Sequence, residues 1–125
     1  MNRDQVMRPT LVVGAIFNLV AAAIFLFPDS LGSMADLPRS GSVFHSWLIA
    51  VFIVIFAGVY LWLSRRTVID RQMIVLAVVG KIGVFLVSVA CLLLGELSLK
   101  AFAPAAGDFV FVLLFLWWLR AAAPE

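Results

Sequence analysis

At 125 residues, 65% hydrophobic and 13% charged, the chain departs from a soluble domain, which is about 45–50% apolar and about 25% charged. Four apolar runs of about 20 residues take up about 80 positions and leave no room here for a water-soluble catalytic head or receptor domain. The net charge of +2 carries little weight, because most charges flank the apolar runs.

The runs are 9–27, 43–63, 73–95 and 103–122, each close to the length an α-helix needs to cross about 30 Å of hydrocarbon. They predict an all-α, integral membrane four-helix bundle in a single transmembrane domain, antiparallel and up-down. Pro9 fits the first turn of helix 1, where its missing N–H is not needed, and Pro28-Asp29 closes that helix. The stretch Pro28–Ser42 reads as a loop with a short interfacial turn around Leu31–Leu37. Helix 2 ends before Arg65-Arg66, with Tyr60 and Trp62 near that end, where aromatic rings prefer the interface. A tight connection at Thr67–Gln72 leads into helix 3, and Glu96–Ala106 links it to helix 4. Starting helix 4 at Asp108 gives only about 18 Å of helix, whereas starting it at Ala103 places Asp108 inside the membrane.

Six arginines (Arg3, Arg8, Arg65, Arg66, Arg71 and Arg120) fall on one side of this arrangement, and Arg39 and Lys100 on the other. An excess of Lys and Arg marks the cytoplasmic side, so both termini are expected inside the cell. The competing reading makes helix 1 a cleaved signal peptide, with Ser33-Met34-Ala35 as cleavage site and Asp36 as the new start; its apolar run is longer than the usual h-region.

Polar residues inside the runs are few: Asn18, Tyr60, Lys81, Ser88 and Asp108 form the candidate ligand-binding or buried polar cluster. Lys81 lies about 12 Å along helix 3 from its expected start. An ionised side chain near the bilayer centre costs about 2.5–3.5 kcal/mol or more, so such groups face a bundle interior or a cavity. Three readings stand for Lys81: snorkelling to the head groups, a buried structural pair, and a functional charge. Gly80 and Gly83 beside it would allow a close helix contact. Asp108 is its natural partner on an antiparallel helix 4, and an N-cap at Gly107-Asp108 is the alternative. Gly14, Asn18 and Ala22 share one helix face, the pattern of helix packing with an amide bonding across the contact; ligand contact is the alternative. Ser88 shares the face of Lys81 and can also bond its own helix. Tyr60 reads as an interfacial anchor, with a place in the polar cluster as the minority alternative. Trp47, Trp62, Trp117 and Trp118 read as interfacial belts.

A single cysteine, Cys91, excludes an intramolecular disulfide and a Cys-x-x-Cys pair. A single histidine, His45, cannot supply two axial haem ligands within one chain; only a dimer pairing two copies would. No metal site or cofactor is expected. No phosphate-binding loop, dinucleotide fingerprint or nucleophile–base–acid set is present, and no basic helix suggests nucleic acid.

Asn18 with Phe27-Pro28, Gly80-Lys81, and Gly107-Asp108-Phe109 followed by Phe111, Leu114 and Phe115 resemble the small four-helix bacterial membrane proteins grouped as DoxX-like. The resemblance covers nearly the whole chain through short motifs. It implies the bundle fold, a bacterial inner (plasma) membrane location, and an accessory membrane subunit's role, since some members of that group are linked to quinone-reducing respiratory complexes. The leading expectation is a non-enzymatic multi-pass protein: an accessory subunit, or a binder of a lipid or quinone-like apolar ligand. A dimeric transporter or channel using Lys81, and an intramembrane isomerase using Lys81 and Asp108 as acid and base, are the alternatives. The expected partners are the bilayer, a membrane protein, or a second copy of the chain.

Overall fold

A computed structural model of the protein describes residues 2–39 and 41–121. Four helices follow one another: α1 Arg3–Leu26, α2 Val43–Ser64, α3 Arg71–Leu93 and α4 Leu99–Ala121, with a π-helical turn, Pro28–Gly32, after the first. At 1.5 Å per residue each helix is about 33–36 Å long, enough to cross a bilayer. Val13, Ile16, Val20, Val79, Leu86 and Leu113 all point outward. An apolar surface this extensive would aggregate in water and suits lipid. The chain is a multi-pass membrane protein built as an all-α four-helix bundle.

Polar caps set the helix ends, and they move three of the four helix starts from the expected positions. α1 starts at Arg3 rather than Pro9. The Asn2 side chain accepts from the Asp4 N–H at 3.1 Å, and the Gln5 side chain accepts from the Asn2 N–H at 3.1 Å, a reciprocal box that initiates the helix. Pro9 therefore sits inside α1 and removes one bond of the ladder. α3 starts at Arg71 rather than Met73, because Asp70 accepts from the N–H groups of Gln72 and Met73. It stops at Leu93, where Gly95 at φ +78° lets the Glu96 N–H reach the Cys91 carbonyl at 2.9 Å. α4 starts at Leu99 rather than Ala103: the Ser98 hydroxyl accepts from the Ala101 N–H. Lys100 and Pro104, expected in the linker, are helical. The expected last residue of that run, Ala122, lies outside the described residues. α2 starts at Val43 as expected, capped by Ser42. The turn expected around Leu31–Leu37 begins at Pro28, where the Gly32 N–H bonds the Phe27 carbonyl.

Arginines tie one end of the bundle together. Arg3 donates to the Trp118 carbonyl and Arg71 to the Leu119 carbonyl, both in the last turn of α4. The Arg8 guanidinium bonds the carbonyls of Ser64, Arg66 and Thr67 where α2 ends. Helix C-termini carry unsatisfied carbonyls and partial negative charge, so these are favourable partners for guanidinium groups. The starts of α1 and α3 and the ends of α2 and α4 thus lie together, which makes the topology up-down. Trp118 departs from the expected belt. It is buried, donates its indole N–H to Asp4 at 2.8 Å, and lies under the Arg3 guanidinium. Trp47, Trp62 and Trp117 stay on the outer surface.

α1 packs closely on α2, α3 on α4, and α1 on α4, whereas α2 and α3 approach each other closely at a few backbone positions at most. Small buried residues (Gly14, Ala15 and Ala22 on α1, Ala50 and Ala57 on α2) let helices approach without a large apolar driving force. At Gly107 a Cβ would lie 2.9 Å from the Phe17 ring, so only glycine lets that ring rest against α4. The α2–α3 seam is the most loosely packed of the four neighbouring helix pairs.

Candidate functional site

Lys81 sits on the inward face of α3 and is 5% exposed. Its Nζ donates to Asp108 Oδ1 at 2.6 Å and to Asn18 Oδ1 at 3.4 Å. Snorkelling is thereby overturned: the amine turns to a carboxylate inside the bundle. The N-cap reading of Asp108 is overturned as well. Ser98 starts α4 further back, so Asp108 lies nine residues past Leu99 and its charge is available to Lys81. At 2.6 Å this is a charge-assisted hydrogen bond, and it offsets much of the desolvation of both ions.

The ammonium also lies 5.1 Å from the Phe111 ring centre and 5.5 Å from those of Phe17 and Tyr60. Aromatic faces stabilise a cation, most strongly where water is excluded. Phe17 and Phe111 are in turn in tilted contact, and Tyr60 packs edge-on against Phe115. The cage is therefore held from three helices. Tyr60 is 1% exposed and belongs to the cluster, not to the membrane interface. The Gly14–Asn18–Ala22 stripe is buried, as packing requires, and Asn18 reaches across to Lys81 at the same time.

An ammonium has only donors, so the Asn18 oxygen must face Lys81 and the amide NH2 is turned elsewhere. That NH2 and the Tyr60 hydroxyl have no hydrogen-bond partner among the described residues. Both residues border open space inside the bundle. That space is a cavity of about 410 Å³, bordered by all four helices and by Asn18, Tyr60, Lys81, Ser88 and Asp108. Its size is typical of small-molecule sites, and apolar walls with a few convergent polar groups are the usual composition of one. Ser88 bonds the Val84 carbonyl of its own helix at 2.8 Å and stands on the wall away from the ion pair.

Gly80 and Gly83 do not make the close helix contact expected of them. A Cβ at Gly83 would meet nothing within 4 Å, and one at Gly80 would meet only the tip of Phe56 at 3.9 Å. Gly80 instead lines the cavity on the side where α3 faces α2. A second hollow of about 360 Å³ shares Leu37, Ile49 and Ser88 with the first and extends it toward Arg39. Arg39 pairs with Asp29 at 3.2 Å on the exposed surface.

The aromatic cage was not foreseen, although one signal existed. Phe111 follows Asp108 by three residues and so shares its face. Among the described residues no group of three His, Cys, Asp or Glu could hold a metal ion. His45 and Glu96 are exposed near the opposite end of the bundle from the termini. No family model, curated protein or solved structure matches the chain.

Proposed function

We propose that the protein is a non-catalytic membrane protein that binds a lipid-soluble molecule in its interior, with the polar end of the molecule at Lys81, Asp108, Asn18 and Tyr60. The observation that carries this reading is the placement of unpartnered polar atoms of Asn18 and Tyr60 in an apolar cavity deep within the bundle. A buried polar group without a partner is unfavourable in hydrocarbon, and a ligand supplies the missing bonds. The seam between α2 and α3 offers a way in from the bilayer itself. The reading places the chain in a bacterial inner membrane, termini inside, as an accessory or carrier component of the kind the DoxX-like resemblance implies.

A long-chain benzoquinone probe tests it, with the protein in lipid nanodiscs. The probe is expected to bind the native chain and to lose most of its affinity to Gly80→Phe, which puts a ring into the cavity at a position where a Cβ meets only the tip of Phe56, at 3.9 Å. Tyr60→Phe, which removes one hydroxyl without a protein partner, should weaken binding while costing about 1 kcal/mol of stability or less. Undiminished binding by Gly80→Phe would refute the reading. Acid–base catalysis by Lys81 and Asp108 is a second reading, supported by the two groups bordering one cavity.

A further inference from the structure

We infer that the cavity selects a ligand whose buried end is uncharged and carries a carbonyl or hydroxyl oxygen. The inference rests on the binding role proposed above and adds the chemical class of the head group.

Lys81 and Asp108 are the two ionisable side chains of opposite sign in the cavity wall, and they neutralise each other at 2.6 Å. The other polar wall residues, Asn18, Tyr60 and Ser88, are neutral groups. An anionic head group would leave the occupied site with one net negative charge in hydrocarbon, and a cationic one with one net positive charge. Neither would have a counter-ion free to meet it, because each buried ion is already engaged by the other.

Hydrogen-bond capacity then fixes the polarity of the head group. An ammonium has three donors, and Lys81 uses two of them, on Asp108 and Asn18. The Asn18 NH2 and the Tyr60 hydroxyl add further donors without partners. The second Asp108 oxygen is an acceptor with no partner among the described residues, and the Asp108 side chain retains 15% exposure. The site therefore offers several donors, with the second Asp108 oxygen and the Tyr60 and Ser88 hydroxyl oxygens as acceptors. A carbonyl oxygen satisfies the donors, and a hydroxyl also serves an acceptor. A purely hydrocarbon ligand would leave all of them unmet.

Three probes that share one long alkyl chain and end in an alcohol, a carboxylate or a trimethylammonium separate the outcomes. They are measured by equilibrium binding to the native protein in nanodiscs of neutral lipid. The alcohol is expected to bind at least about tenfold more tightly than either ion. Asp108→Asn leaves Lys81 unbalanced and should move the preference toward the carboxylate; Lys81→Met leaves Asp108 unbalanced and should move it toward the ammonium. The double variant Lys81→Met/Asp108→Asn is neutral again and should return the preference to the alcohol, which guards against loss of folding in either single variant. A native protein that prefers a charged probe, or that binds all three alike, overturns the inference while leaving a binding role intact. Failure of all three probes and of the benzoquinone overturns the binding role itself.

Discussion

Replacing Asp108 with leucine strands the Lys81 ammonium beneath the membrane surface. With Lys81 5% exposed and its Nζ 2.6 Å from the lost oxygen, the structure leaves it only the Asn18 oxygen and three aromatic faces. Breaking one side of a buried pair costs about 3–5 kcal/mol. Transfer of an unpaired lysine to the centre of a membrane helix costs about 2.5–3.5 kcal/mol, which agrees in size. Asp108→Leu is therefore expected to destabilise the bundle by about 3–4 kcal/mol. Lys81→Met strands the carboxylate and should be destabilising in the same sense. The double variant Lys81→Met/Asp108→Leu removes both ions and replaces them with apolar groups of similar size. It should recover native stability or exceed it by about 1–4 kcal/mol. Equilibrium unfolding in mixed micelles of mild detergent and dodecyl sulfate, followed by tryptophan fluorescence and far-UV circular dichroism, gives all four corners of the cycle. A loss below about 1 kcal/mol for Asp108→Leu would mean that the amine escapes to water, and the buried-pair argument would fall. A double variant as unstable as the singles would show instead that the pair holds the helices together.

Two further outcomes test how the frame around the site is built. Gly107→Val places carbon where Phe17 now lies, 2.9 Å from a Cβ, and should cost about 1–3 kcal/mol in the same assay, with Phe17→Ala in the same chain restoring most of the loss. Gly95→Ala forces a side chain into the left-handed region at φ +78° and should cost about 1–2 kcal/mol, loosening the end of α3 toward hydrogen exchange and leaving the ion pair in place.

Hydropathy alone delimited the four helices, because the bilayer demands long apolar runs and little else competes with that signal. It misplaced the starts of α1, α3 and α4, since helix initiation is a matter of hydrogen bonds. Asn2 with Gln5, Asp70, and Ser98 look like loop residues to a polarity scale, yet each satisfies backbone N–H groups that would otherwise be orphaned. The pairing of Lys81 with Asp108 was legible as one of two alternatives by counting 1.5 Å per residue along antiparallel helices. Tyr60 was misread because it stands only four residues before the end of α2. That end docks at Arg8, inside the span of α1, so a residue near the helix terminus is deep in the bundle. The cage of Phe17 and Phe111 and the seam beside Gly80 were hidden for a different reason. Runs that are apolar on all sides carry no mark of which face turns inward, and only the packing decides it.

The opposed charges belong to consecutive helices, 27 residues apart in the chain. Taken alone, α3 would carry an unbalanced ammonium into hydrocarbon at a cost of about 2.5–3.5 kcal/mol, and α4 brings the carboxylate that offsets it. The C-terminal hairpin is thus electrically balanced only as a pair of helices. A ribosome stalled between the two would leave α3 with that cost unmet, and Lys81→Met would remove it.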